Sequence, residues 1–180
     1  MARLRVEQAL LRLGDRAEGP VDSRPLLSEA AVAIGYRYCM PGDDPDRGLP
    51  EADEPGRWRG EPGTRLPHVF FTGGYDGRST LDLVCDGRHL LLAGPEGHRL
   101  ARAAREVDPR GAFLGMALLP RQAGSGTARP TDACGIGDHG AMLVRPDHVI
   151  TWRTTHATPN TTAALSEATR RALRPNHVAA

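Results

Sequence analysis

Lysine is absent from this 180-residue chain, so every cationic side chain apart from histidine is an arginine. Without a lysine amine there is neither a Schiff-base nucleophile nor a P-loop lysine. A surplus of either charge is also missing. Twenty-three basic residues against 22 acidic ones leave a formal net charge of +1, which gives a nucleic-acid partner no electrostatic support. Long apolar runs are lacking at the N-terminus, where Arg3, Arg5, Glu7 and Arg12 interrupt the first 13 residues. The expectation is therefore no signal peptide, no membrane span and a cytoplasmic location. Cysteine is scarce: Cys39, Cys85 and Cys134 cannot all pair, and none forms C-x-x-C. In a reducing compartment they are expected to be free thiols. Aromatic residues make up only 4% of the chain: Tyr36, Tyr38, Trp58, Phe70, Phe71, Tyr75, Phe113 and Trp152. A binding site built on aromatic stacking would have to draw on several of these few.

Glycine, proline and apolar residues are plentiful, and they punctuate the chain. Residues 1–13 read as a short amphipathic helix, and 26–33 as a second, with Ser23 as a possible cap. Residues 34–40 alternate like a strand. Residues 41–62 are rich in Pro, Gly, Asp and Glu and predict a long acidic loop. A strand at 69–72, a turn at 73–77 and a helix at 79–84, capped by Ser79 or Thr80, follow. Residues 89–93 form an apolar strand and 96–107 a helix, with Leu100, Ala103, Ala104 and Val107 on one face. Another strand covers 112–119, a polar loop 121–132, a hairpin 141–153 turning at 145–148, and a terminal helix 161–173. This order fits one α/β domain with a sheet layered between helices.

Two stretches carry a family resemblance. The first holds Gly63, Arg65, Pro67 and His68, then Ser79 to Leu83, then Leu91 to Pro95. The second runs from Gly140 to Asp147 and on to Trp152 and Arg153. Together they resemble the C-terminal, thioredoxin-like domain of flavin-dependent aromatic hydroxylases, above all those that tailor bacterial aromatic polyketides. The resemblance implies a thioredoxin-like central sheet flanked by helices over residues 34–180. Residues 1–33 would be a helical extension, the counterpart of the linker that precedes the tail domain. Those hydroxylases carry a flavin fold first, so the expectation here is a tail domain standing alone. Two positions depart from the family pattern: Cys134 stands where Tyr is common, and His148 replaces the Gly of R-P-D-G.

The chemistry-bearing groups are few. Gly135 to Gly140 (GIGDHG) matches G-x-G-x-x-G, but a polar loop precedes it and a strand follows, so it reads as a turn and not as a dinucleotide fingerprint. His89, His98, His139, His148 and His156 form no H-E-x-x-H or Cys/His zinc spacing, and no metal is expected. Catalytic candidates are His68, Asp76, His139 and Cys134. His68 either hydrogen-bonds to fix its loop or serves as a base, with His139 or Asp76 as alternatives. Cys134 is either a drifted loop residue or a nucleophilic thiol. Tyr75, Arg78, Trp58 and His148 are candidates for substrate contact, and Trp58 is expected outside the core. A ligand would sit beside the hairpin, against His68 and residues 73–78, where three glycines permit close backbone approach. Arg78 and Asp82 would alternatively just pair.

Two classes of function follow. In the first, resemblance to the gilvocarcin-type reductive O-methyltransferase group implies a tailoring protein that binds a polycyclic quinone or hydroquinone, with quinone reduction coupled to O-methylation. S-adenosylmethionine or reduced flavin from a partner would then be the cofactor, although no glycine-rich methyltransferase loop is visible. In the second, the chain is a non-catalytic module that scaffolds a flavoprotein oxygenase or reductase, or forms a homodimer.

Overall fold

The computed structural model describes residues 27–40, 50–71, 77–121 and 129–173. The run HLLLA is buried at all five positions and forms strand β1 (His89–Ala93), the centre of the molecule. A strand covered on both faces needs apolar residues on both, and this run supplies them. Leu90 and Leu92 point into one apolar cluster, Leu91 and Ala93 into another. Each fully buried leucine contributes on the order of 1.5–3 kcal/mol.

β1 lies between β2 (Leu114–Leu118), to which it is parallel, and β3 (Ala141–Val144), to which it is antiparallel. β4 (Ile150–Thr154) pairs with β3 through the predicted hairpin, with a register shift between Leu143 and Val144. The order across the sheet is β2-β1-β3-β4. With the connecting helices, this is the thioredoxin-like arrangement expected of the chain. A parallel pair requires a crossover, supplied here by α2 (His98–Val107). Leu100, Ala103 and Ala104 are buried against the Leu91 face, and α4 (Thr161–Ala172) packs beside them through Leu165 and Ala168. Asp108 ends α2 and starts β2: its carboxylate accepts the Phe113 and Leu114 N–H groups at 2.8 and 2.9 Å.

The opposite face has less helix. One turn, α3 (Pro130–Ala133), and the segment between residues 60 and 84 cover it with Leu66, Phe71, Val84, Cys134 and Ile136. Several sequence expectations change here. The described part of the strand expected at 69–72, residues 69–71, is not a strand of the sheet; Phe70 makes an isolated antiparallel bridge with Ser79. The helix expected at 79–84 is one 3-10 turn, Leu81–Leu83, because the Ser79 and Thr80 polar groups are committed locally. Ser79 donates both its N–H and hydroxyl to Asp82 at 2.7 Å, and Arg78, the alternative partner, acts on Asp82 only as a weaker electrostatic influence. The strand expected at 34–40 reduces to a bridge between Tyr36 and Ala52. The N-terminal helix within the described residues is α1 (Glu29–Ile34), capped by Ser28, not Ser23. The helix expected at 1–13 lies outside the described residues.

Candidate functional site

The histidines singled out in the sequence as candidate site residues, His68, His139 and His148, fall at opposite ends of the sheet. β1 and β3 are antiparallel, so the β3–β4 turn sits at the start of β1, and the connection entering β3 sits at its carboxyl end.

At the start of β1 the hairpin turn meets the 66–81 segment. Arg145 pairs with Asp147 at 2.6 Å, and the His148 N–H donates to the Arg145 carbonyl. His148 adopts φ 68°, the left-handed conformation that Gly would adopt more freely, and its Nε2 lies 3.3 Å from the Leu81 carbonyl. The Leu66 N–H donates to the His148 carbonyl, which fastens the segment to the turn. His68 is exposed and lies against Phe70, ring centroids 4.6 Å apart, and Phe70 is itself 55% exposed. Arg78 is exposed nearby in sequence. Thr80 is fully buried and ties the segment together: its hydroxyl donates to the Pro67 carbonyl at 2.5 Å and accepts from the Val69 N–H at 3.1 Å. Hydrogen bonds from the Ser79 hydroxyl and then its N–H hold the Asp82 carboxyl below its usual range. Tyr75 and Asp76 lie outside the described residues.

At the carboxyl end of β1, His139 stands apart from His68. It lines a cleft of about 400 Å³ with Glu96, Gly97, His98, Arg99 and His156. The cleft forms where the β1–α2 connection approaches the loop entering β3. Gly94 donates its N–H to the Gly140 carbonyl at 2.9 Å, and Glu96 donates to the Asp138 carbonyl at 2.8 Å. Side chains at 94 or 140 would close this approach: an added Cβ on Gly94 would clash with the Gly137 and Asp138 carbonyls, and one on Gly140 with those of Ile136 and Thr154. The connection between the first strand and the following helix is therefore residues 94–97, not 73–78 as the sequence suggested. No cysteine occupies it; a proline, a glutamate and two glycines do.

Cys134 and Trp58 are core side chains. Cys134 is fully buried, and burial pushes its thiol up to about 12, against a smaller lowering by Arg153. A thiol so placed is a poor nucleophile, because the thiolate is the reactive form. Trp58, expected outside the core, is 7% exposed and donates its indole N–H to the Gly35 carbonyl at 2.8 Å. Cys39 and Cys85 are exposed free thiols. Among the described residues, no group of three His, Cys, Asp or Glu side chains is placed to hold a metal ion, and no helix is long and apolar enough to cross a membrane.

The sequence missed Glu96, His98, Arg99 and His156 as neighbours of His139, because three separate connections bring them together. A signal was present: had residues 89–93 been taken as the first strand, the cleft would have been sought at 94–98.

The same frame occurs in known proteins. Residues 59–175 match the family model for the aromatic-ring hydroxylase C-terminal domain. The chain is 36% identical to 4-methyl-5-nitrocatechol 5-monooxygenase of Burkholderia sp. over 82% of its own length and 28% of that protein. It is 36% identical to aklavinone 12-hydroxylase of Streptomyces purpurascens over 78% of its length and 26% of the hydroxylase. In structure it is similar to aklavinone-11 hydroxylase, solved with FAD and aklavinone. There the TM-score is 0.70 and the identity 30%, with 83% of this chain and 28% of that one covered. The chain thus spans little more than a quarter of these relatives. The match of the family model across most of the chain, in a fold shared with a hydroxylase, places the protein in the family of aromatic-ring hydroxylase C-terminal domains.

Proposed function

We propose that the chain serves flavin-dependent hydroxylation of a polycyclic aromatic compound in bacterial polyketide tailoring, as a non-redox module that docks on a flavin-bearing oxygenase fold. One observation carries this reading: the residues of the family-like motifs hold the fold together. Thr80 joins Pro67 and Val69, Ser79 joins Asp82, and Arg145 joins Asp147. Motif residues so engaged favour a presented surface over a reacting centre. The exposed Phe70, flanked by His68, is the part of that surface suited to an apolar partner. Flavin and the aromatic substrate would then be held by the partner, in a cytoplasmic complex. Residues 1–33 would be the counterpart of the linker between the two folds, and 34–180 the domain itself.

Quinone binding by this chain alone, with reduction coupled to O-methylation and S-adenosylmethionine as donor, is the finer alternative. The relatives' names are those of hydroxylases and monooxygenases and lend it no support. A titration distinguishes the two. The chain is mixed with a polyketide hydroxylase deprived of its own tail domain, and an anthraquinone is added. Docking predicts a stoichiometric complex by analytical ultracentrifugation, weakened at least tenfold by Phe70→Asp, and anthraquinone binding only when the oxygenase is present. Anthraquinone binding by the isolated chain, unaffected by the oxygenase, would overturn docking.

A further inference from the structure

The cleft at the carboxyl end of β1 has a charge pattern that docking at Phe70 does not use. The one carboxylate in its lining, Glu96, is engaged by Arg121, and the neighbouring Asp138, whose carbonyl accepts the Glu96 N–H, pairs with Arg129 at 2.5 Å. His98, Arg99 and His139 have no carboxylate partner among the described residues. The His156 Nδ1 meets only the Thr155 hydroxyl, at 3.1 Å. Three imidazoles and one guanidinium thus share one cleft. The Arg99 guanidinium does not stabilise its own helix. His98 and Arg99 occupy the first turn of α2, which has no acidic residue, and a helix start favours negative charge there. Gly94 and Gly140 allow three connections to touch backbone to backbone around them. In open α/β sheets the crevice outside the carboxyl ends of strands is where ligands settle.

We propose that this cleft binds the oxyanion group of a small molecule, a phosphate or a carboxylate, through Arg99, His98, His139 and His156. The guanidinium offers a planar fork of donors suited to either oxyanion, His98 stands beside it on the same helix turn, and the His139 and His156 imidazoles approach from the other two connections. The site does not depend on the docking role, and the two fail separately: Phe70 lies on the 66–80 segment, not in the cleft.

The test follows the imidazole resonances by NMR while inorganic phosphate, and separately benzoate, is added to the intact chain at constant ionic strength. Saturating shifts of His98, His139 and His156 with one shared Kd are expected, and the tighter probe identifies the head group. Arg99→Gln and His139→Gln should each raise that Kd about tenfold or more, the usual loss for a hydrogen bond to a charged group. Arg110→Gln, in the α2–β2 connection, should leave it unchanged, and circular dichroism should report an intact fold for all three variants. Shifts that never saturate, or that appear equally on His68 and His148, overturn the proposal. An unchanged Kd in both cleft variants does so too.

Discussion

Cys134 should resist thiol reagents until the protein unfolds. Its side chain has no exposed surface and lies in the cluster with Leu66, Ile136 and Met142, whereas Cys39 and Cys85 are exposed. Burial raises its thiol from the ordinary 9.0 to about 12. Attack on a disulfide reagent proceeds through the thiolate, and a rise of that size leaves about a thousandfold less thiolate at pH 8 than an ordinary thiol has. Exclusion of the reagent slows it further, so the native reaction must wait for an opening of the fold. The assay is colour release from Ellman's reagent. Wild type should show two prompt thiols and a third released at the unfolding rate. In guanidinium chloride all three should react at once. A Cys39→Ser/Cys85→Ser double variant isolates the third. If that variant reacts in native buffer within tenfold of the exposed pair, Cys134 is not the buried residue described, and the nucleophilic role suggested by sequence returns. Fewer than three thiols in denaturant would instead reveal a disulfide.

Two further outcomes probe the frame. Gly60 and Gly87 both have φ of +74°, but a Cβ on Gly60 would clash with the Cys134 carbonyl while one on Gly87 would meet open space. Each Ala variant incurs the left-handed cost of about 1–2 kcal/mol. Gly60→Ala should be worse by a further 1–3 kcal/mol or so for the forced shift, and equal urea midpoints would refute the packing of residue 60 on residue 134. His89 is buried with its Nε2 unpartnered, and burial first, then Arg145, lowers its pKa below 6.5, with Asp147 and the Ala172 carbonyl opposing. A depressed value means that the unfolded chain takes up the proton first. Stability is therefore full above about pH 6.5 and is lost as pH falls from there towards the folded value. His89→Gln should flatten that slope in denaturation curves at pH 5 to 8; an unchanged slope assigns it to another group.

Much of the sheet was legible because apolar periodicity alone specifies it. Residues 89–93, 141–144 and 161–173 were placed within a residue or so, since each is a buried run or a regular stripe. The segment from 66 to 84 was not, for a physical reason. Ser79-Thr80-x-Asp82 has the spacing of a helix cap, and Asp82 does accept from Ser79. Thr80, however, is committed to Pro67 and Val69 on another strand of chain, so no helix propagates beyond Leu83. Trp58 was misjudged similarly. Its neighbours Arg57, Arg59 and Gly60 look like surface, and nothing local announces the Gly35 carbonyl that receives its indole.

The misplaced site follows from the misplaced strand. Taking residues 69–72 as the first strand makes 73–78 the connection to the first helix, and three glycines there strengthen the impression. In the sheet, β1 is His89–Ala93, and the equivalent connection is 94–97. His139 belongs to that end because β3 runs antiparallel to β1 and its entering loop must lie over Ala93. His68 and His148 belong to the other end by the same geometry. A single strand assignment thus separates His139 from His68, which the sequence had grouped with it, and gathers it with His98 and His156, to which the sequence had given no site role. Proximity in a mixed sheet is set by strand direction: residues 41 apart in sequence share a cleft, while His139 and His148, nine apart, stand at opposite ends of β3.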